Sequence, residues 1–162
     1  MMRQVGLGIA LVAALLTCGF EASAQSADSS DSSEYLIKAG FIYNFAKLVE
    51  WPTSAFPQSG NPIVIAVLGN DSFADVLEHA VDGKKIDSHP FSVKRLKWKE
   101  FKECSCHILF LAVQESAHAD EIIQSVKTAS VLTIAETPGF AKRGGIINFT
   151  LQDSKVRFEA NV

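Results

Sequence analysis

Four histidines, His79, His89, His107 and His118, and three cysteines, Cys18, Cys104 and Cys106, are the side chains of this 162-residue chain best suited to ligate a metal, shuttle a proton or change redox state. The tightest grouping is Cys104, Cys106 and His107. Zinc sites usually announce themselves as two separate Cys or His pairs, and only one such grouping is present. On an extended strand the two cysteines point one way and His107 the other, so a three-point site would need a loop there. The alternative is a buried Cys106 that opens a core strand. The histidines fall on different elements, and no Ser-His-Asp spacing, paired-carboxylate pattern or phosphate loop accompanies them. The residues therefore argue against an enzyme, and they imply no cofactor and no metal.

The element that organises the chain is the stretch from Tyr35 to Pro52. At about 100° per residue, Gly40, Tyr43, Asn44, Lys47 and Glu50 share one strip, while Tyr35, Ala39, Phe41, Ile42, Phe45, Ala46, Leu48 and Val49 occupy most of the remaining circumference. This pattern predicts a helix capped at Ser32 or Ser33, ending at Trp51 before Pro52, and buried nearly all round. One sheet face hides about half of a helix, so so wide an apolar arc asks for a second cover, from this chain or from another molecule.

Behind it, Ile63 to Leu68 and Ile108 to Val113 are apolar at every position, and Val131 to Ile134 nearly so, as strands covered on both faces are. Phe73, Val76, Leu77 and Ala80 follow the first run at helical spacing, with Ser72 as cap. Ala119, Ile122, Ile123 and Val126 follow the second, with Ser116 as cap. Phe91 to Leu96 alternates and reads as a less buried strand. Ile147 to Leu151 and Val156 to Ala160 alternate around Asp153-Ser154 as an antiparallel hairpin. The fold class predicted is α/β, with a mixed, mainly parallel central sheet flanked by helices and a C-terminal antiparallel hairpin. Gly69 alone follows the first strand, so the three-glycine fingerprint of a nucleotide site is missing.

Residues 1–24 have the layout of a cleaved signal peptide: Arg3, an uncharged apolar run from Val5 to Phe20, and Ala22-Ser23-Ala24. A lipoprotein anchored at Cys18 is the competing reading, disfavoured by Thr17 and by the Ala-x-Ala site. Residues 25–33, rich in Ser, Asp and Ala, read as a flexible leader, and 34–162 as a single domain. No later apolar run is long enough to span a bilayer, so the expectation is an exported protein that does not cross the membrane after cleavage. The net charge of −3 and the lack of a basic cluster with interleaved aromatics exclude nucleic acid as the natural partner.

Two stretches could meet a protein partner. Trp51 and Pro52 sit at the end of the organising helix, where tryptophan could serve as an interface anchor or simply be buried against Phe56. The loop Thr137 to Gly145 joins Phe140 to Lys142 and Arg143 between glycines, and binding residues often lie on such loops, though a plain turn has the same composition. Cys104 and Cys106 are redox candidates. Their Cα atoms on a regular strand would be about 6.6 Å apart, near the far limit for a disulfide. A bent, labile bridge, a link between subunits, and a buried Cys106 beside an exposed Cys104 all remain open.

Four pieces in order, Tyr43-Asn44-Phe45-Ala46-Lys47 with Glu50-Trp51-Pro52, Val67-Leu68-Gly69 before Phe73, Cys106-His107-Ile108-Leu109-Phe110, and Gly144 to Phe149 with Val156-Arg157-Phe158-Glu159, give the chain its resemblance to the YfiR-like family. The resemblance covers nearly all of residues 34–162. It implies a periplasmic α/β regulator that binds the periplasmic sensor domain of an inner-membrane diguanylate cyclase, represses it, and so lowers cyclic-di-GMP signalling and biofilm formation. It also implies an outer-membrane lipoprotein that can sequester the repressor. Two departures stand out. Family members usually continue into a further helix where this sequence stops at Val162, which leaves the organising helix as the expected surface of a homodimer. The family's redox-responsive disulfides also lack a partner cysteine here in the Ile63 to Leu68 strand. The alternative function is a periplasmic small-ligand binding protein that acts alone.

Overall fold

The computed structural model of the chain describes residues 24–161 with the exception of 104. The expected signal peptide, but for its last residue, and Cys104 therefore lie outside the described residues. Helix α1 spans Ala24–Leu48, followed by strand β1 (Ile63–Leu68), helix α2 (Asp71–Val81), β2 (Lys85–Ile86), β3 (His89–Leu96), β4 (Ile108–Leu111), helix α3 (Ala119–Val126), β5 (Leu132–Ala135), β6 (Ile147–Gln152) and β7 (Lys155–Ala160). The strands form one sheet in the order β2-β3-β1-β4-β5-β6-β7. Pairings from β3 through β6 are parallel, and each edge is closed by an antiparallel partner, β2 on β3 and β7 on β6. This is the mixed, mainly parallel α/β sheet with a C-terminal hairpin that the hydrophobic runs predict.

The unalternating runs are strands because both faces of the sheet are covered. Ile63, Ile65, Val67, Ile108 and Phe110 face α1 and α2. Ala66, Leu68, Leu109 and Leu111 face α3 and the loops beside it. Each fully buried Leu, Ile or Phe contributes about 1.5–3 kcal/mol, so these two layers carry most of the driving force. The β6–β7 turn falls at Asp153 and Ser154, both with positive φ (50° and 57°), the conformation that a two-residue hairpin turn of matching twist requires.

Three local expectations are corrected. First, α1 begins at Ala24, not at a cap on Ser32 or Ser33. Ser and Asp have low propensity inside a helix, but once Tyr35 to Leu48 is helical each added residue gains a hydrogen bond without a new nucleus. Second, the helix stops at Leu48, ahead of Trp51. Third, its cover is incomplete: Ala39, Ile42 and Ala46 are buried, but Leu36, Ile37 and Leu48 are 60%, 47% and 80% exposed.

The caps also differ from the simplest reading. Asn70, not Ser72, caps α2, its Oδ1 accepting the Phe73 N–H at 2.9 Å. The Asn70 amide donates in turn to the Tyr35 hydroxyl at 2.9 Å, which ties α1 to the turn after β1. Gly69 precedes it at φ +88°, a backbone that favours glycine. Ser116 caps nothing. A 3-10 turn over Val113–His118 runs directly into α3, and the Ser116 carbonyl accepts the Ala119 N–H.

Candidate functional site

At the amino-terminal ends of the parallel strands, the residue just before β4 is tied to β1 twice. The His107 backbone N–H donates to the Val64 carbonyl at 2.9 Å, and the Val64 N–H donates to His107 Nδ1 at 3.0 Å. A ring nitrogen that accepts a backbone N–H carries no proton, so the imidazole is neutral with its hydrogen on Nε2, which lies 3.1 Å from the Ala55 carbonyl. Phe56 stacks between this ring (centroids 4.7 Å, 14°) and that of His89 (3.8 Å, 20°). His89 Nδ1 meets the Asn61 carbonyl at 2.7 Å. Trp51 stands edge-on to His107 at 5.6 Å and 87°.

Two histidines that lie far apart in sequence are thus brought together with the Trp51 loop, but as a structural stack. Both His107 nitrogens are committed to the backbone, so ligation would cost that ring its hold on β1. Among the described residues no group of three His, Cys, Asp or Glu side chains could hold a metal. Cys106 is half-buried beside the second core layer, two residues ahead of β4. Trp51 is half-buried on the fringe of the first layer and Pro52 is exposed. The Trp51 indole Nε1 is buried with no acceptor among the described residues.

The other two histidines are locally satisfied. His79 Nδ1 meets the Asp75 carbonyl at 2.7 Å. His118 stacks on Trp98 (3.7 Å, 11°) and lies 3.5 Å from Glu115.

At the carboxyl ends of the strands lies a polar arrangement that the apolar pattern of α1 hides. Lys38 is 4% exposed and is clasped by Glu34, one turn earlier, and by Glu136, which follows β5. Burial of the ammonium acts to lower its pKa, but hydrogen bonds to Glu136 and Glu34, with their charges, outweigh it and hold the pKa above 10.5. The Glu34-to-Lys38 spacing is the sequence signal that could have marked this pair. Nearby, Asn148 Oδ1 accepts the Thr137 N–H and Thr133 Oγ1 accepts the Ile146 N–H, both at 3.0 Å, and together they pin the loop between β5 and β6.

That loop does not present the expected trio. Phe140 is fully buried in the second core layer, packed so closely on Gly145 that a Cβ there would strike the ring. It is a core residue and offers nothing to a partner. Lys142 and Arg143 are exposed, and Arg143 pairs with Asp120 of α3 at 2.9 Å. This loop follows the carboxyl end of β5 whereas Trp51 lies against the amino end of β4, so the two candidate stretches occupy opposite ends of the sheet.

Among the described residues, exposed large apolar side chains gather on α1 and the adjoining edge. Phe41 and Phe45 pack against Phe158 of β7 at 5.5 and 5.0 Å, and Phe158 remains 45% exposed. Leu36, Ile37 and Leu48 continue this surface along the helix. Among the described residues no helix is long and apolar enough to cross a membrane. No curated protein matches the chain. A family model described as YfiR/HmsC-like matches residues 35–162, from the first aromatic residue of α1 that packs on the sheet to the end of the sequence.

Proposed function

The chain belongs to the YfiR/HmsC-like family, and from that membership we propose that it is a periplasmic regulatory binding protein that represses an inner-membrane diguanylate cyclase. In this reading it is exported by the signal peptide of residues 1–24, binds the cyclase's periplasmic sensor domain, and lowers cyclic-di-GMP and biofilm formation. An outer-membrane lipoprotein relieves the repression by sequestering it. The family match carries the reading. It is compatible with ring nitrogens of His79, His89 and His107 that hydrogen-bond to the backbone.

The surfaces proposed for contact are the Trp51-Pro52 corner and the exposed Lys142 and Arg143, with Phe140 now assigned to the core. The uncovered strip of α1 is proposed to join two copies in a homodimer. Deleting the gene is expected to raise cyclic-di-GMP and surface attachment in a host that normally makes the protein. Capture of membrane proteins by the exported chain should recover a cyclase through its periplasmic domain. An unchanged cyclic-di-GMP level on deletion would remove the proposal.

A further inference from the structure

We infer that the cavity at the amino-terminal ends of β1, β4 and β5 is a binding site for a small organic anion with an apolar body. It is a half-open cleft whose volume of about 800 Å³ lies within the range of small-molecule sites. Three loops build it: the one before β1, the one between β3 and β4, and the one between α3 and β5. The apolar wall is Val64, Phe101, Val126 and Val131, enough to cover one ring. Hydroxyls of Ser54, Ser105 and Ser130 border it and can donate to an oxyanion.

Charge selects the ligand class. Lys94 and Lys102 line the cavity, and none of the described lining residues is acidic, although the chain as a whole carries −3. Lys102 is held by Glu121 of α3 at 3.1 Å. Lys94 makes no ion pair among the described residues, unlike Lys38, Arg95 and Arg143, which each face a carboxylate. The positive lining disfavours a cation, and a neutral ring would forgo the Lys94 ammonium. The wall is also preorganised, because both ring nitrogens of His107 are spent on Val64 and Ala55 and the side chain is fixed without any ligand.

The site does not depend on the repressor reading, since binding is measured on the chain alone. The probe is 4-hydroxybenzoate, titrated into the ¹⁵N-labelled chain purified from a periplasm, with neutral 4-hydroxybenzyl alcohol as control. Saturable shifts are expected at the amides of Lys94, Ser105 to His107 and Val131. The alcohol and the Lys94→Glu variant should each bind at least about tenfold more weakly, the scale of one lost charge contact. Ala129→Trp, which fills the cavity, should abolish the shifts. Should that variant fail to fold, Lys94→Glu, at an exposed position, still decides the question. No saturable shift at these amides, equal binding of acid and alcohol, or undiminished binding by Lys94→Glu would overturn the inference.

Discussion

The Val64 N–H donates to His107 Nδ1 at 3.0 Å, so an imidazole takes the place of a backbone carbonyl at the point where β1 and β4 begin to pair. With the companion bond from the His107 N–H to the Val64 carbonyl, one residue satisfies both polar groups of another. It also holds Ala55, and through Phe56 it reaches His89. The corner that carries Trp51 is therefore built on the tautomer of a single ring.

His107→Phe tests this relationship. Phenylalanine preserves the stack on Phe56 but leaves the Val64 N–H without an acceptor, an omission that costs about 1–3 kcal/mol for a buried group. Urea unfolding should show a loss of that size, and long-range ¹H–¹⁵N spectra of the unmodified chain should show the Nε2–H tautomer. A protonated Nδ1 in those spectra would contradict the assignment.

Lys38 gives a test with a direction in pH. Its pKa is raised on folding, so its contribution is complete below the unfolded value of 10.5 and fades as pH climbs through the higher folded value. Lys38→Met leaves Glu34 and Glu136 facing each other in a poorly hydrated site and should destabilise by about 3 kcal/mol at neutral pH. The deficit should shrink when stability is measured above pH 10.5, and Glu136→Gln in the same chain should restore part of it. Equal deficits at neutral and alkaline pH would show that lost packing, not charge, is responsible.

How these features stand in the sequence follows from what periodicity records. The run Ile63 to Leu68 and the Asp153-Ser154 turn are legible because burial on both faces and a two-residue hairpin each leave a local pattern. The meeting of His89 with His107 leaves none, since it depends on β3 and β4 flanking β1 from opposite sides. Lys38 sits among apolar neighbours, and while Glu34 lies one turn away its other partner, Glu136, is 98 residues distant and leaves no local pattern. β2 is only two residues long, and no periodicity can be read from it. Phe140 is ambiguous for another reason: an apolar side chain in a glycine-rich loop has the same sequence whether it turns in or out.

Gly145→Ala and Lys142→Ala separate those two possibilities for the loop. The added methyl at 145 would meet the Phe140 ring, and such overpacking costs about 1–3 kcal/mol. Lys142 is exposed, and its loss should change stability by less than about 0.5 kcal/mol. If Lys142 contacts the sensor domain, partner capture falls in Lys142→Ala while the melting temperature stays fixed. Unchanged stability in Gly145→Ala would contradict the close packing of Phe140 on that position.

Trp51→Phe exploits the unpartnered indole. Removing a buried N–H that has no acceptor among the described residues relieves a desolvation cost, so the isolated chain should be no less stable and should gain up to about 1 kcal/mol despite the smaller ring. If Trp51 anchors a partner, the same change should weaken capture of the sensor domain at unchanged stability. A clear loss of stability would mean that the ring's packing on His107 outweighs its orphaned N–H.

The uncovered strip of α1 makes the last test. Ile37 and Leu48 are 47% and 80% exposed on a helix whose opposite side is fully buried, and Phe158 extends the same apolar surface onto β7. Burying even a few such side chains against a second copy is worth about 1.5–3 kcal/mol each, before the entropy of association is subtracted. That balance predicts a weak dimer, populated at micromolar to high micromolar concentration. Sedimentation equilibrium should show a weight-average mass that rises with concentration, and Ile37→Lys should return it to the monomer value. Because Ile37 is half in solvent already, the variant's melting temperature at low concentration should match the parent's, which separates a lost interface from a damaged fold. Monomer alone at high micromolar concentration would mean that the strip is covered in the cell by something other than a second copy.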